Sequence, residues 1–384
     1  MRHGRLILSL GRAARLRMAS EKVSSGALAA GAGAPAHHVP GGEGFRNPWP
    51  SFNQKQGLLV FGKLMLQDWN SKTAKVTTDM VKALQPVEPD LEKIIAPPNN
   101  KIQLTWIGHA TYLMQMEGLT ILTDPVWGDR CSPSKWFGPK RHVQPPLPLS
   151  KLPEVDVILI SHNHYDHLDV DTIKTMGNKP LYLVPLGLKK FFTDLGISNV
   201  VELDWWQEKK LTSKGVEITA TCTPAQHFSS RTAFDRNKTL WCSWVVRGPK
   251  RRVWFGGDTG YRSVPKERTT TSDPPHVQNE GLPVCPAFAE IGERYGPFDV
   301  ALIPIGAYGP RWFMSAVHCS PEDAVAVHVD VKSKQSVAMH WGTFSLTDEP
   351  LLEPPVRLSK ELQRLRIEPE SFIALRHGET RQFV

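Results

Sequence analysis

Apolar positions change their spacing along this chain, and the change divides it. From residue 102 onward they come in short blocks with strand character: Ile102-Gln103-Leu104-Thr105-Trp106, Thr111-Tyr112-Leu113-Met114-Gln115-Met116 and Leu119-Thr120-Ile121-Leu122-Thr123. With Glu117-Gly118 between the last two, the blocks predict an antiparallel meander containing a tight turn. Apart from Asp156 and Ser161, the run 155–161 is β-branched and apolar, as a buried strand should be. The runs 216–226, 252–257 and 335–339 predict further strands. Segments 185–195 and 321–331 read as helices, the second with Ser320 as N-cap and Pro321 at the first helical position. Strand meanders joined by helices fit an α/β fold, with two sheets packed face to face and helices outside in an αββα sandwich. There is no internal repeat.

Before residue 102 the pattern is different. Residues 45–100 predict an N-terminal helical arm, with helices over 58–69 and 77–84. Residues 1–44 form a tail, Arg-rich at first and then rich in Gly, Ala and Ser. Leu6, Leu10 and Ala13 fall at helical spacing beside arginines, the pattern of a mitochondrial transit peptide, with a disordered start as the alternative. The main domain then covers 101–384. Within it, residues 262–284 hold four prolines and a Thr269-Thr270-Thr271 run, which predicts a flexible loop.

Composition narrows the class. Hydrophobic content of 40% and charge of 22% over 384 residues belong to a globular protein. Five scattered cysteines without a Cys-x-x-Cys pair suggest a reducing compartment and no disulfide framework. Of the formal +8, five charges come from arginines in the first 17 residues, so the remaining body is too weakly basic to suggest nucleic-acid binding. No apolar run reaches the ~18 residues of a membrane span. The apolar stretch 58–66 would pack on the core or lie on a bilayer surface.

The chemistry concentrates in His162-Asn163-His164-Tyr165-Asp166-His167, immediately after the 155–161 strand. Imidazole nitrogen and carboxylate oxygen are ligands that zinc favours. This spacing can aim His162 and His164 at one ion, and Asp166 and His167 at a second. His227, Asp258 and His340 each close a later strand-like run, where rigid strands can bring distant ligands together. Five histidines and two aspartates suit two zinc ions per chain, with Asp258 between them.

The ligand order is that of the metallo-β-lactamase superfamily. Further blocks narrow the likeness: Thr105-Trp106-Ile107-Gly108-His109-Ala110-Thr111, Leu122-Thr123-Asp124-Pro125, Gly138-Pro139-Lys140-Arg141, Glu202-Leu203-Asp204-Trp205-Trp206, Gly257-Asp258-Thr259-Gly260-Tyr261, His340-Trp341-Gly342-Thr343-Phe344 and Asn47-Pro48-Trp49-Pro50. With these, the chain resembles the N-acylphosphatidylethanolamine-hydrolysing phospholipase D family over about residues 45–384, apart from residues 262–284, which the resemblance marks as an insertion. The resemblance implies a zinc phosphodiesterase that releases N-acylethanolamine and phosphatidic acid from a membrane phospholipid. It implies Asp258 and His318 as catalytic residues, His318 as acid or phosphate contact, and Asp124 and His109 as supports for the ligands. Lys135 and Trp136 fall in the family's headgroup region, where relatives carry Gln-Tyr. It further implies an intracellular peripheral membrane protein of endomembranes such as Golgi or early endosome, a homodimer, and a cleft open to amphiphiles such as bile salts. The alternatives are another two-zinc hydrolase of this fold, nuclease or lactonase, and a non-catalytic lipid-binding homologue.

Overall fold

The computed structural model describes residues 24–25, 35–42, 44–53, 76–213, 215–269 and 275–384. Two sheets carry the fold. In the first, Thr380–Phe383, Ile102–Gly108, Thr111–Met116, Leu119–Thr123, Val157–Leu159, Leu181–Pro185 and Val200–Leu203 lie side by side in that order. The first four are antiparallel and the rest parallel. The second sheet runs Ser24–Ser25, Gln207–Ser213, Val216–Thr223, Ser243–Arg247, Arg252–Phe255, Phe298–Pro304, Ser333–Met339 and Phe372–Ile373, antiparallel at first and parallel from Arg252 onward.

Side-chain alternation along the strands builds the layers. Leu104, Trp106, Tyr112, Met114, Val157, Leu159, Leu181 and Leu183 join the core shared with Ile218, Cys222, Trp244 and Trp254 of the other sheet. Their neighbours Leu113, Leu122, Ile158, Tyr182 and Val184 point the other way, onto Ile173, Leu188 and Phe192 under the outer helices. Val157–Leu159 is therefore buried on both faces, which is why its sequence is uninterrupted apolar residues. The Glu117-Gly118 turn has positive φ at both residues (48° and 87°), the geometry that favours a two-residue hairpin. Helix Pro321–Asp330 starts with the anticipated Ser320 cap, in a capping box completed by Asp323. All five cysteines are buried and unpaired.

The arm differs in part from expectation. Helix Thr78–Ala83 occupies the 77–84 prediction, and a second short helix, Leu91–Ile95, follows. The 58–69 helix and the Arg-rich start lie outside the described residues. Residues 35–53 run across the body: Trp49 stacks on Trp205 with ring centroids 5.4 Å apart, and Phe45 N donates to Asn237 O.

The insertion closes at its base, where Cys285 N donates to Tyr261 O over 2.8 Å. Its described part is held at several points. Arg262 Nε donates to the fully buried Asp323 carboxylate, Ser263 Oγ to Ser51 O, and Val264 N to Ser315 Oγ. A 3₁₀ turn, Lys266–Arg268, and a short helix, Pro275–Asn279, lie within it. Among the described residues, no helix is long and apolar enough to cross a membrane.

Candidate metal centre

The site forms where several strands end together. His162 to His167 follow Val157–Leu159, His227 follows Val216–Thr223, Asp258 follows Arg252–Phe255 and His340 follows Ser333–Met339. Small residues let these ends approach: Gly257 has φ 57°, and a Cβ there would lie 2.6 Å from Ser161 Cβ. Three non-glycine site residues also take positive φ, namely His109 (52°), Asp124 (31°) and His340 (62°). Such backbone is held only where its surroundings over-determine it.

The structure brings all seven sequence-derived candidates together. His162, His164, His227 and Asp258 form one donor set, and Asp166, His167, His340 and His109 another, with ligand atoms in each set within 4.8 Å of one another. Asp258 Oδ2 lies between the sets, 3.1 Å from both His167 Nε2 and His340 Nε2 and 3.7 and 3.9 Å from His227 Nε2 and His162 Nε2. Asp166 Oδ2 lies 3.4 Å from His167 Nε2 and 3.3 Å from His340 Nε2.

These residues fit bound metal. His164 Nδ1 sits 2.8 Å from His162 Nε2 and 3.3 Å from His227 Nε2, so three ring nitrogens converge where protons cannot satisfy all of them. The buried atoms His167 Nε2, His340 Nε2, Asp258 Oδ1 and His318 Nδ1 have no hydrogen-bond partner among the described residues. Buried donors and acceptors are rarely left so, and a cluster of them at one point is the signature of a metal site.

Electrostatics point the same way. Burial opposes charging His167 and His340, but the carboxylates of Asp258 and Asp166 outweigh it; they hold His167 well above the ordinary imidazole range and His340 at about 9. Burial likewise opposes ionising Asp166 and Asp258, yet the adjacent His167 keeps both well below the usual carboxylate range. Burial pushes His162 and His227 far down and His164 to about 4, leaving neutral rings. Neutral imidazole beside ionised carboxylate is the protonation pattern a divalent ion requires, and His162, His164 and His227 already meet it; His167 and His340 would have to give up a proton to an ion.

The supporting residues are equally specific. Asp124 Oδ2 accepts from His167 Nδ1 (2.7 Å) and from Ser161 Oγ (2.5 Å), while Oδ1 accepts from Ser161 N. Ser161 Oγ also lies 2.8 Å from His162 Nδ1, so one carboxylate steadies ligands of both sets. His109 Nε2 lies 2.8 Å from Asp166 Oδ2, and burial lowers His109 to about 3. His227 Nδ1 donates to Val317 O. His318 faces Asp258, with Nδ1 3.9 Å from Oδ2, and burial lowers it to about 3. Lys135 and Trp136 stay outside the cluster: the Lys135 ammonium pairs with Asp171, and Trp136 is 82% exposed.

Sequence reasoning missed Ser161 and Asn47 in these roles. Asn47 Nδ2 donates to the His227 carbonyl over 2.7 Å, and Ser51 Oγ donates to Gln226 Oε1 beside it. The Asn47-Pro48-Trp49-Pro50 block flagged the segment, but a bond to a main-chain atom 180 residues away leaves no spacing to read.

The model of the beta-lactamase superfamily domain matches residues 120–274 and 281–341. The chain is 38% identical over 357 residues, 90% of its length and 94% of the relative's, to the Caenorhabditis elegans N-acyl-phosphatidylethanolamine-hydrolyzing phospholipase D 1. It belongs to that family. A Saccharomyces cerevisiae protein, the N-acyl-phosphatidylethanolamine-hydrolyzing phospholipase D, mitochondrial, is 35% identical over 258 residues, 66% of this chain and 50% of the yeast protein. Among solved structures, the isothiocyanate hydrolase from Delia radicum gut bacteria superposes with a TM-score of 0.53 at 18% identity, covering 73% of this chain and 98% of that one, which shows the shared fold. Family membership and the donor sets together make the chain a metal-dependent hydrolase.

Proposed function

We propose that the chain is a two-zinc phosphodiesterase that hydrolyses N-acylphosphatidylethanolamine to N-acylethanolamine and phosphatidic acid at a membrane surface. The observation that carries this reading is the likeness to a relative named for that reaction over nearly the whole of both chains. The paired donor sets supply the matching chemistry.

His162, His164 and His227 would hold one ion, Asp166, His167 and His340 the other, and Asp258 would serve both. Zinc so placed lowers the pKa of bound water and polarises phosphoryl oxygens. The protein's own groups set the geometry. Asp124 orients His167 directly and His162 through Ser161, which keeps their free nitrogens aimed inward. His318 presents a buried, unpartnered Nδ1 beside Asp258, placed to contact a phosphate oxygen of the substrate.

The surface around the centre suits a lipid. Trp136, Phe137 and Phe234 are 82%, 77% and 92% exposed, on two loops that approach the His162–His167 motif. Tyr165 of the motif links them: it packs against Val126 and Cys131 and donates to Arg231 O. Aromatic rings left in water mark a contact surface, and Arg236, whose guanidinium lies over the Phe228 ring next to His227, adds positive charge for phospholipid headgroups.

The test is to assay full-length, zinc-loaded protein on N-acylphosphatidylethanolamine in mixed micelles, with and without chelator, following both products by mass spectrometry. Chelator-sensitive release of N-acylethanolamine together with phosphatidic acid is expected. Zinc-replete protein that leaves the lipid intact would refute the reading.

A further inference from the structure

Away from the metal centre, His37, His38 and Asp204 form a second cluster of ligand-type side chains. His37 Nε2 lies 2.7 Å from Asp204 Oδ1 and His38 Nε2 lies 2.8 Å from Asp204 Oδ2. The three ligand atoms fall within 4.8 Å of one another. None of these residues belongs to the donor sets described above.

We propose that His37, His38 and Asp204 form a separate binding site for a divalent transition metal, of which zinc is the natural probe. Two imidazoles and one carboxylate are a donor set for zinc and its neighbours, with the remaining positions left to water. The site is preorganised. The His37 ring stacks on Trp205 with centroids 4.2 Å apart and is nearly buried, while His38 packs edge-on against Phe45 at 5.1 Å. It is also accessible, since the His38 and Asp204 side chains are 28% and 14% exposed. Among the described residues, no lysine or arginine is paired with Asp204; its charge partners are the two histidines. Binding requires each ring to place its proton on Nδ1, so that both Nε2 lone pairs face the ion in place of the present hydrogen bonds.

The location gives such an ion a purpose. Asp204 directly follows Val200–Leu203, the last strand of the first sheet, and the histidines belong to the arm segment that reaches His227 through Asn47. A metal here would fasten the arm to the sheet edge, as structural zinc fastens small elements elsewhere.

The test compares zinc content. Full-length chain and a His37→Gln/His38→Gln variant are equilibrated with zinc alone, desalted and measured by inductively coupled plasma mass spectrometry. Glutamine keeps an N–H for Asp204 and removes the ligating nitrogen. The variant should hold one zinc fewer per chain and gain less thermal stability on zinc addition. Asp204→Asn should show the same deficit. The same difference should persist in an Asp258→Asn background, so the outcome is independent of the lipid reaction and of occupancy at the other centre. Should the double variant aggregate, the more exposed His38→Gln carries the same comparison. Equal zinc content in wild type and variants would overturn the site and leave a hydrogen-bonded clamp in its place.

Discussion

Asp124 shows how much of the centre depends on groups that never touch an ion. Its two oxygens receive His167 Nδ1, Ser161 Oγ and Ser161 N, and Ser161 passes the constraint on to His162. Asp124→Asn keeps the shape but removes the charge that fixes the His167 tautomer. Loss of such a support typically costs 10- to 100-fold in metal affinity. Chelator competition should show zinc leaving the variant at lower chelator concentration, with activity returning under excess zinc; identical zinc retention would show that Asp124 only fills space. At this scale the donor residues that the fold gathers were legible because histidine and aspartate are anomalous at the ends of apolar strands. Ser161 and Asn47 were not, because serine and asparagine are ordinary there and their partners are fixed only by folding. Lys135 illustrates the opposite limit: its position beside Trp136 is readable, but its pairing with Asp171 on the surface is not.

Elements follow the period of their side chains where one face is buried. The 102–123 meander, the 157–159 strand and the Ser320-capped helix were readable for that reason, since alternation, continuous burial and capping each leave a pattern in sequence. Residues 35–42 and 44–53 have no such period. They are turns and irregular chain held by specific contacts: Trp49 on Trp205, Ser51 on Gln226, Asn47 on the carbonyl of His227. Asn47→Ala should therefore act as an element-level lesion. It leaves the His227 carbonyl without its donor, a loss of about 1–3 kcal/mol when the group stays buried. Denaturant unfolding of the zinc-loaded variant should show this loss with an unchanged m-value, while Asn47→Asp, which cannot donate, should not rescue it. Unaltered stability in Asn47→Ala would mean that the arm contributes nothing to the strand end carrying His227.

For the whole molecule, buried neutral histidines set the acid limit and the insertion sets the question of essential parts. Burial, reinforced by Arg141, lowers His377 to about 3, where it stacks on Trp106 at 4.1 Å; burial lowers His328 to about 4. In the unfolded chain both would titrate near 6.5. The folded state thus binds fewer protons below that pH, and its stability is complete above about 6.5 and falls progressively towards 3–4. Unfolding midpoints measured from pH 8 to 5 should decline for the parent and decline less for His377→Gln; parallel curves would assign the acid sensitivity to other groups. The insertion makes a sharper demand on the fold. Because Cys285 N meets Tyr261 O at its base, the chain on either side is already positioned without it. Beyond the bonds to Ser51 and Ser315, its removal uncovers a buried charge: Asp323 is fully buried and shared by Arg262 and Arg311, and of the two arginines only Arg311 would remain. A chain lacking residues 262–284 should consequently fold cooperatively and bind added zinc as the parent does while being less stable than the parent. Restoring an arginine between Tyr261 and Cys285 should recover part of the difference, since it returns a partner to the buried carboxylate. Zinc content and denaturant unfolding of the three chains decide the matter: loss of zinc in the shortened chain would make the insertion integral to the metal centre, whereas equal stability in all three would show that Arg311 alone satisfies Asp323.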